Sequence, residues 1–407
     1  MFSASILNSM IGMLSNMIIT RVLSKSEFGI WSYIMNFYSY LVIFTGFGLL
    51  SGVFQFGAEN KGKKEEYSYY KYCLFWGMII DTVLVIIVII GSCILDFSLE
   101  GVRKYLIMAI PLLLIEYILN LCLTVLRCQN RIREYAKILN INTVLLALGI
   151  CVGAVFGVKG VIIGKYTAYS FSLIHIIKKL KQELGLIYNA PKIHLEKIKS
   201  LWHYSVFTGT SSGLNMMMYL LDVSIVAFIC KSPEKVAIYK VATLIPNALT
   251  FIPTSINVCI LPTIVSNKEN MGWIKKYISK VFFFTGLFNL FVCMFCIIFS
   301  SFIIKVLSGE EYLPAVPIFN VLIISYFITG TFRSLSANIL AALRQVYFNL
   351  FVSIVSILCN ILFNVILINK FGIIGAAYAT LGVVLVASLL AFFCLMIKLW
   401  DNKNDCF

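Results

Sequence analysis

Charge is scarce in this chain: Asp, Glu, Lys and Arg together make up 13% of its 407 residues, and histidine occurs three times. Polar intervals are short, which leaves almost nothing from which a soluble domain with a hydrated surface could be built. Catalytic and nucleotide-binding motifs are missing as well. There is no GxxxxGK(S/T) loop to cradle phosphates, no GxGxxG turn, no HExxH zinc pair and no GxSxG nucleophile elbow. His175, His194 and His203 form no ligand spacing, and Cys293-x-x-Cys296 is a lone pair inside an apolar run, so no metal site is implied. Most of the twelve cysteines lie in such runs, where a thiol behaves as a small hydrophobe. These absences argue against an enzyme and against a bound cofactor.

What is present is hydrophobicity, at 60% of residues and a mean hydropathy of +0.93. Twelve apolar segments alternate with short polar breaks, at 4–20, 32–55, 73–95, 105–126, 136–157, 161–177, 203–229, 236–264, 281–304, 315–340, 347–368 and 372–398. About twenty apolar residues make a helix long enough to cross a hydrocarbon core of roughly 30 Å. Lipid offers backbone amides no partners, so each span must satisfy its own, and runs such as Val83–Ile90 lack the alternation of a barrel strand. The expected fold class is therefore an all-α polytopic membrane protein of about twelve transmembrane helices. The first segment has almost no charged leader and no A-x-A site, and is read as a retained helix rather than a cleaved signal peptide.

The formal net charge of +15 sorts by side. With the N-terminus in the cytoplasm, 21 of the 33 Lys and Arg fall on the inner side and 9 on the outer, leaving Lys165, Lys240 and Arg333 within spans. That asymmetry obeys the positive-inside rule and puts both termini in the cytoplasm. The basic excess then reflects topology and attraction to anionic headgroups, not a nucleic-acid partner.

Local patterns recur between the halves. Lys25-Ser26 through Ile30-Trp31 resembles Lys231-Ser232 through Ile238-Tyr239, Arg131 recurs as Arg344, and Phe156-Gly157-x-x-Gly160 recurs as Phe371-Gly372-x-x-Gly375, at offsets of 206, 213 and 215. Six spans per repeat is an even number, so both copies enter from the same side and the repeat is parallel. The expected organisation is an N-terminal six-helix lobe at 1–180, a basic cytoplasmic linker at 181–202 and a C-terminal six-helix lobe at 203–407, pseudo-symmetric as in transporters that rock two bundles.

Six ionisable residues fall inside the expected spans: Asp81, Glu116, Lys165, Asp222, Lys240 and Arg333. Each costs roughly 2.5–3.5 kcal/mol at mid-span on insertion scales, so each must be paired, hydrated or functional. Asp222 and Lys240 flank one hairpin near the outer surface, where a mutual ion pair is the structural reading. Lys165 lies about a turn inside its span and can snorkel, and Asp81 is about two turns from the inner surface, within reach of local solvation. Glu116 and Arg333 are deeper, on spans made equivalent by the repeat, and serve either as a pair between lobes or as part of a substrate site. Arginine suits a phosphate because its planar fork donates two parallel hydrogen bonds and stays charged. The substrate-binding candidates are thus Arg333, Arg21, Lys240 and Lys165, and the candidates for ion coupling or interlobe pairing are Asp222, Glu116 and Asp81.

The run Thr20-Arg21-Val22-Leu23-Ser24-Lys25-Ser26-Glu27-Phe28-Gly29-Ile30-Trp31 resembles the start of the Wzx-type polysaccharide and O-antigen flippases of the multidrug/oligosaccharidyl-lipid/polysaccharide exporter superfamily. Leu221-Asp222 with Ala237-Ile238-Tyr239-Lys240-Val241-Ala242, Leu307-Ser308-Gly309-Glu310-Glu311-Tyr312-Leu313-Pro314-Ala315, and Phe371-Gly372-Ile373-Ile374-Gly375-Ala376-Ala377 are similar to later stretches of that family. The resemblance implies two six-helix bundles around a V-shaped central cavity, and translocation of an undecaprenyl-diphosphate-linked oligosaccharide between leaflets of the bacterial cytoplasmic membrane. Implied partners are the lipid bilayer, a polysaccharide polymerase and a chain-length regulator of the same pathway; the location of Asp81, Glu116 and Asp222, not the resemblance, makes H⁺ or Na⁺ the candidate coupling ion. Export of small cationic or amphipathic molecules is the alternative. A polymerase or ligase is disfavoured, because such enzymes carry large outer-face loops and the outer loops here span about six to eleven residues.

Overall fold

The computed structural model describes residues 2–62, 64–94, 97, 99, 101–266, 271–342 and 346–401. Among the described residues every regular element is helical. The first ten helices are α1 (Phe2–Val22), α2 (Lys25–Phe44), α3 (Leu49–Glu59), α4 (Lys64–Ile94), α5 (Val102–Ala109), α6 (Leu112–Cys128), α7 (Ile132–Ala154), α8 (Gly157–Lys179), α9 (Lys181–Tyr188) and α10 (Leu195–Cys230). They are followed by α11 (Pro233–Leu249), α12 (Phe251–Ser266), α13 (Met271–Ile298), α14 (Ser300–Ser308), α15 (Val316–Ile328), α16 (Ser334–Ala342), α17 (Val346–Phe371) and α18 (Ile373–Asp401). The chain divides into two compact units, Met1–Leu220 and Leu221–Phe407, with the boundary inside α10.

Ten helical stretches among the described residues are long and apolar enough to cross a bilayer. The shorter apolar segments Met10–Val22 and Leu220–Cys230 stand where the first and seventh spans were expected. Large apolar side chains point outward along these helices, as in Phe75, Ile86, Ile87 and Ile90 of α4 or Phe283, Phe284, Leu287 and Phe291 of α13. Water would not tolerate that surface; lipid does.

Five of the expected continuous spans are divided between two helices, among them the second and the eighth. Between α2 and α3 the backbone turns through Gly46, Phe47 and Gly48, all with positive φ. The break is tied down within the first unit. The Asp81 carboxylate accepts the Gly46 N–H at 2.8 Å, and Gly48 lies against the backbone of Ser205 and Gly209 in α10. Asp81 is fully buried there, which corrects the expectation of local solvation. In the second unit the expected span at 236–264 is divided at Thr250 into α11 and α12, with Pro246 near the end of α11 and Pro253 near the start of α12.

The internal repeat has a geometric counterpart. Gly157 and Gly372 both adopt positive φ, at 71° and 65°. A methyl group built on Gly160 would strike the Gly153 carbonyl oxygen, and one on Gly375 would strike that of Leu367. The hairpins formed at these turns, α7 with α8 and α17 with α18, are the most extensive helix contacts in their units. The start of the second span differs from the sequence register. Ser24, not Ser26, caps α2, accepting the Glu27 N–H at 3.3 Å while Glu27 accepts the Ser24 N–H at 3.2 Å. Ser232 does the corresponding work for α11. Arg344, the counterpart of Arg131, lies outside the described residues.

Loops assigned to the basic side of the membrane meet at one end of the first unit. Lys71 donates to the carbonyls of Tyr188 and Ala190 at 2.7 and 3.0 Å, Lys197 pairs with Glu65, and Arg131 joins Glu134 to Glu183. Hydrogen bonding to Glu134 pushes the Arg131 guanidinium further up from its ordinary pKa, so this cation stays charged.

The α7–α8 seam gives a direct test. Gly149 and Gly164 face each other as Gly153 faces Gly160, a small-residue pattern that lets backbones touch. Gly149→Leu or Gly164→Leu should destabilise the detergent-solubilised protein by about 1–3 kcal/mol or more, read as a lower melting temperature. Gly91→Leu, where nothing lies within 4 Å of the added carbon, should leave it unchanged.

Candidate functional site

Each unit contains a polar cluster buried among its helices. In the second unit the centre is Asp222 on α10, about eight residues and therefore ~12 Å inside the helix end at Cys230. Its Oδ1 accepts from Asn360 and Asn364 of α17, both at 2.8 Å. Its Oδ2 accepts from Thr380 of α18 at 2.8 Å and from Tyr239 of α11 at 3.3 Å. Asn360 and Asn364 are one helical turn apart, so both amides face the same way. Asn364 Oδ1 is buried and accepts no hydrogen bond among the described residues. All the groups that converge here bind through oxygen or donate to it, and all but Asp222 are neutral. A carboxylate, two amide oxygens and a hydroxyl can take up a proton or a hard cation.

The expected Asp222–Lys240 ion pair is absent among the described residues. Tyr239 is the α11 residue that reaches Asp222, and Lys240 follows it immediately, about 100° further round the helix. Lys240 is half-buried on a different face.

In the first unit Glu116 on α6 is the acidic centre. It accepts from the Tyr38 hydroxyl of α2 at 2.7 Å, and Tyr169 of α8 faces the same carboxylate. Lys165 lies alongside, its Nζ 4.4 Å from the Tyr38 ring centroid and 5.5 Å from that of Tyr169. Its amine also approaches Met35 Sδ at 3.6 Å. The side chain thus turns into the helix bundle instead of snorkelling, because two ring faces and the Glu116 charge replace the water it would otherwise seek.

Arg333 ends a π-helical turn, Thr329–Arg333, between α15 and α16, and is half-buried. The turn is braced by Asn289 of α13, which donates to Thr331 at 3.2 Å and accepts from Tyr326 at 3.1 Å. Such turns open the regular helix ladder and recur at functional positions. Arg21 is exposed in the last turn of α1. Asp81 belongs to the α2–α3 break described above.

Asn360, Asn364, Thr380, Tyr239, Tyr38 and Tyr169 went unrecognised in the sequence. The two asparagines carried a signal: amides one turn apart inside an otherwise apolar helix are costly in lipid unless they meet a polar partner.

The arrangement is that of an all-helical polytopic membrane protein. It is similar over 100% of its length to a structure of the lipid II flippase MurJ in an inward closed conformation, at TM-score 0.79 and 16% identity, covering 93% of that chain. An inward-facing multidrug resistance MATE family transporter of the MOP superfamily is similar over 98% of this chain and 96% of its own, at TM-score 0.80 and 13% identity. A MOP superfamily transporter from Pyrococcus furiosus matches over 99% of this chain and 95% of its own, at TM-score 0.64 and 13% identity. A family model for polysaccharide biosynthesis proteins matches residues 18–317, and the chain belongs to that family. An uncharacterized membrane protein of Methanocaldococcus jannaschii is 26% identical over 187 residues, 45% of this chain and only 36% of that protein's length.

Removing the hydroxyl that holds Glu116 should be measurable. Tyr38→Phe is expected to cost about 1.5–3 kcal/mol, the usual worth of a hydrogen bond to a charged group, and to lower the melting temperature accordingly. An unchanged transition would mean that Tyr38 does not hold the carboxylate.

Proposed function

We propose that the protein is a flippase that moves an undecaprenyl-diphosphate-linked oligosaccharide from the cytoplasmic to the outer leaflet of a bacterial cell membrane, by alternating access, for capsule, O-antigen or another surface polysaccharide. Membership of the polysaccharide biosynthesis family supports the pathway, and a fold shared with a lipid II flippase and with inward- and outward-facing transporters supports the mode of action. The observation that carries the transport reading is the Asp222 cluster. Among the described residues the partners of this membrane-embedded carboxylate are neutral donors, so a proton or cation would offset its charge, which suits it to a loading site.

In this reading Asp222, with Asn360, Asn364 and Thr380, takes the coupling ion, H⁺ or Na⁺. Arg333 engages the diphosphate or an acidic sugar, its position after the π-turn giving it a backbone that can shift. Arg21 and Lys240 are secondary cationic candidates. Lys165 and Glu116, already engaged with the two tyrosines, brace the first unit. A polymerase and a chain-length regulator act on what the flippase delivers. Small-molecule export remains the competing reading.

Depletion should cause lipid-linked oligosaccharide to accumulate in the inner leaflet; drug sensitivity with intact surface glycan would instead establish the competing reading. Arg333→Ala should reduce glycan export at normal protein abundance. In proteoliposomes Asp222→Asn, which keeps the shape and loses the charge, should lower transport driven by a Na⁺ or proton gradient at least tenfold. Full gradient-driven transport in that variant would remove Asp222 from coupling.

A further inference from the structure

We propose that a groove on the first unit is a binding site for an anionic phospholipid of the leaflet on the basic side of the membrane. The groove has a volume of about 1160 Å³ and lies between α4, α9 and the segment leading into α10. Nothing lining it belongs to the two polar clusters, and Arg333, Arg21 and Lys240 are not among its lining residues.

Its two ends differ in chemistry. Lys71 and Lys192 stand at one end. Lys71 is held in place by the Tyr188 and Ala190 carbonyls, and neither lysine forms an ion pair among the described residues. The other end is apolar and runs down α4 past Phe75, Ile79 and Val83, which are 61%, 38% and 49% exposed. From Lys71 to Val83 is twelve residues, or ~18 Å along a helix, close to half of a ~30 Å hydrocarbon core. The groove thus measures one leaflet, with positive charge at headgroup level and an apolar wall at acyl-chain level. Aromatic side chains mark the boundary: Trp76 and Tyr188 are exposed there, and Tyr72 is fixed by a hydrogen bond from Trp202 at 3.1 Å. Trp and Tyr favour that depth.

Selectivity has to come from the head. Acyl chains are as well solvated by the bilayer as by Phe75 or Ile79, so the apolar wall aligns a lipid without choosing it. Lysines at the interface do choose, favouring anionic over zwitterionic headgroups. The fit to one leaflet's depth favours an ordinary phospholipid over a much longer polyprenyl chain.

Native mass spectrometry of the full chain, released from micelles holding equimolar phosphatidylglycerol and phosphatidylcholine, tests this. Phosphatidylglycerol should be retained preferentially, and Lys71→Gln with Lys192→Gln should lower that preference about thirty-fold. Lys178→Gln with Lys179→Gln, outside the groove, should leave it intact. Because Lys71 also anchors the loop, Lys192→Gln alone provides a milder variant, with a loss of about fivefold. Thr82→Trp, which fills the apolar end without altering charge, should displace the lipid. Unchanged preference in the folded lysine variants would overturn the proposal. So would displacement of phosphatidylglycerol by undecaprenyl phosphate at equal mole fraction, which would make the groove a rest for the cargo's tail.

Discussion

Hydrocarbon accepts and donates no hydrogen bonds, and nearly every feature of this protein follows from that constraint. It forces the spans to be helical. It bends inward the serine, threonine and asparagine side chains that interrupt them, so that Ser356 returns to the Val352 carbonyl and Thr124 to that of Asn120. It also decides where charge can reside: a carboxylate within the membrane must be surrounded by donors, as Asp222 is, or lean on a tyrosine hydroxyl, as Glu116 does.

The same constraint explains why the two clusters are built differently. Around Asp222 all the partners among the described residues are neutral. Around Glu116 the positive charge of Lys165 is part of the assembly, screened by two aromatic faces. One set of physical rules thus yields a carboxylate held by neutral donors in one unit and a carboxylate with a nearby amine in the other.

Much of this was legible in the order of residues. Composition dictates membrane-spanning helices whatever the details, and the glycine turns at Gly157 and Gly372 announced their shared geometry because glycine adopts positive φ at least cost. The six charges within the spans were visible too, since they stand out against apolar neighbours. Their partners were not. Asp222 meets Asn360 and Thr380 across 138 and 158 residues of chain, and nothing local distinguishes Tyr239 from Lys240 as the residue that turns towards it. Lys165 read as a snorkelling side chain because its own helix end is near, whereas the rings that hold it come from elsewhere. The break at Gly46–Gly48 was hidden by an apolar run that looked continuous; hydropathy reports depth, not backbone direction.

The contact between α7 and α8 has a mechanical side. Where Gly149 meets Gly164 and Gly153 meets Gly160, the two helices touch backbone to backbone, leaving little side chain to reshuffle and making the pair one stiff lever. Compliance in the first unit then belongs elsewhere. The left-handed residues at Gly46–Gly48 already lack regular helical bonding, and a change of angle there breaks no ladder. A lever needs a fulcrum, and Asp81, gripping the Gly46 amide, sits where a pin would go.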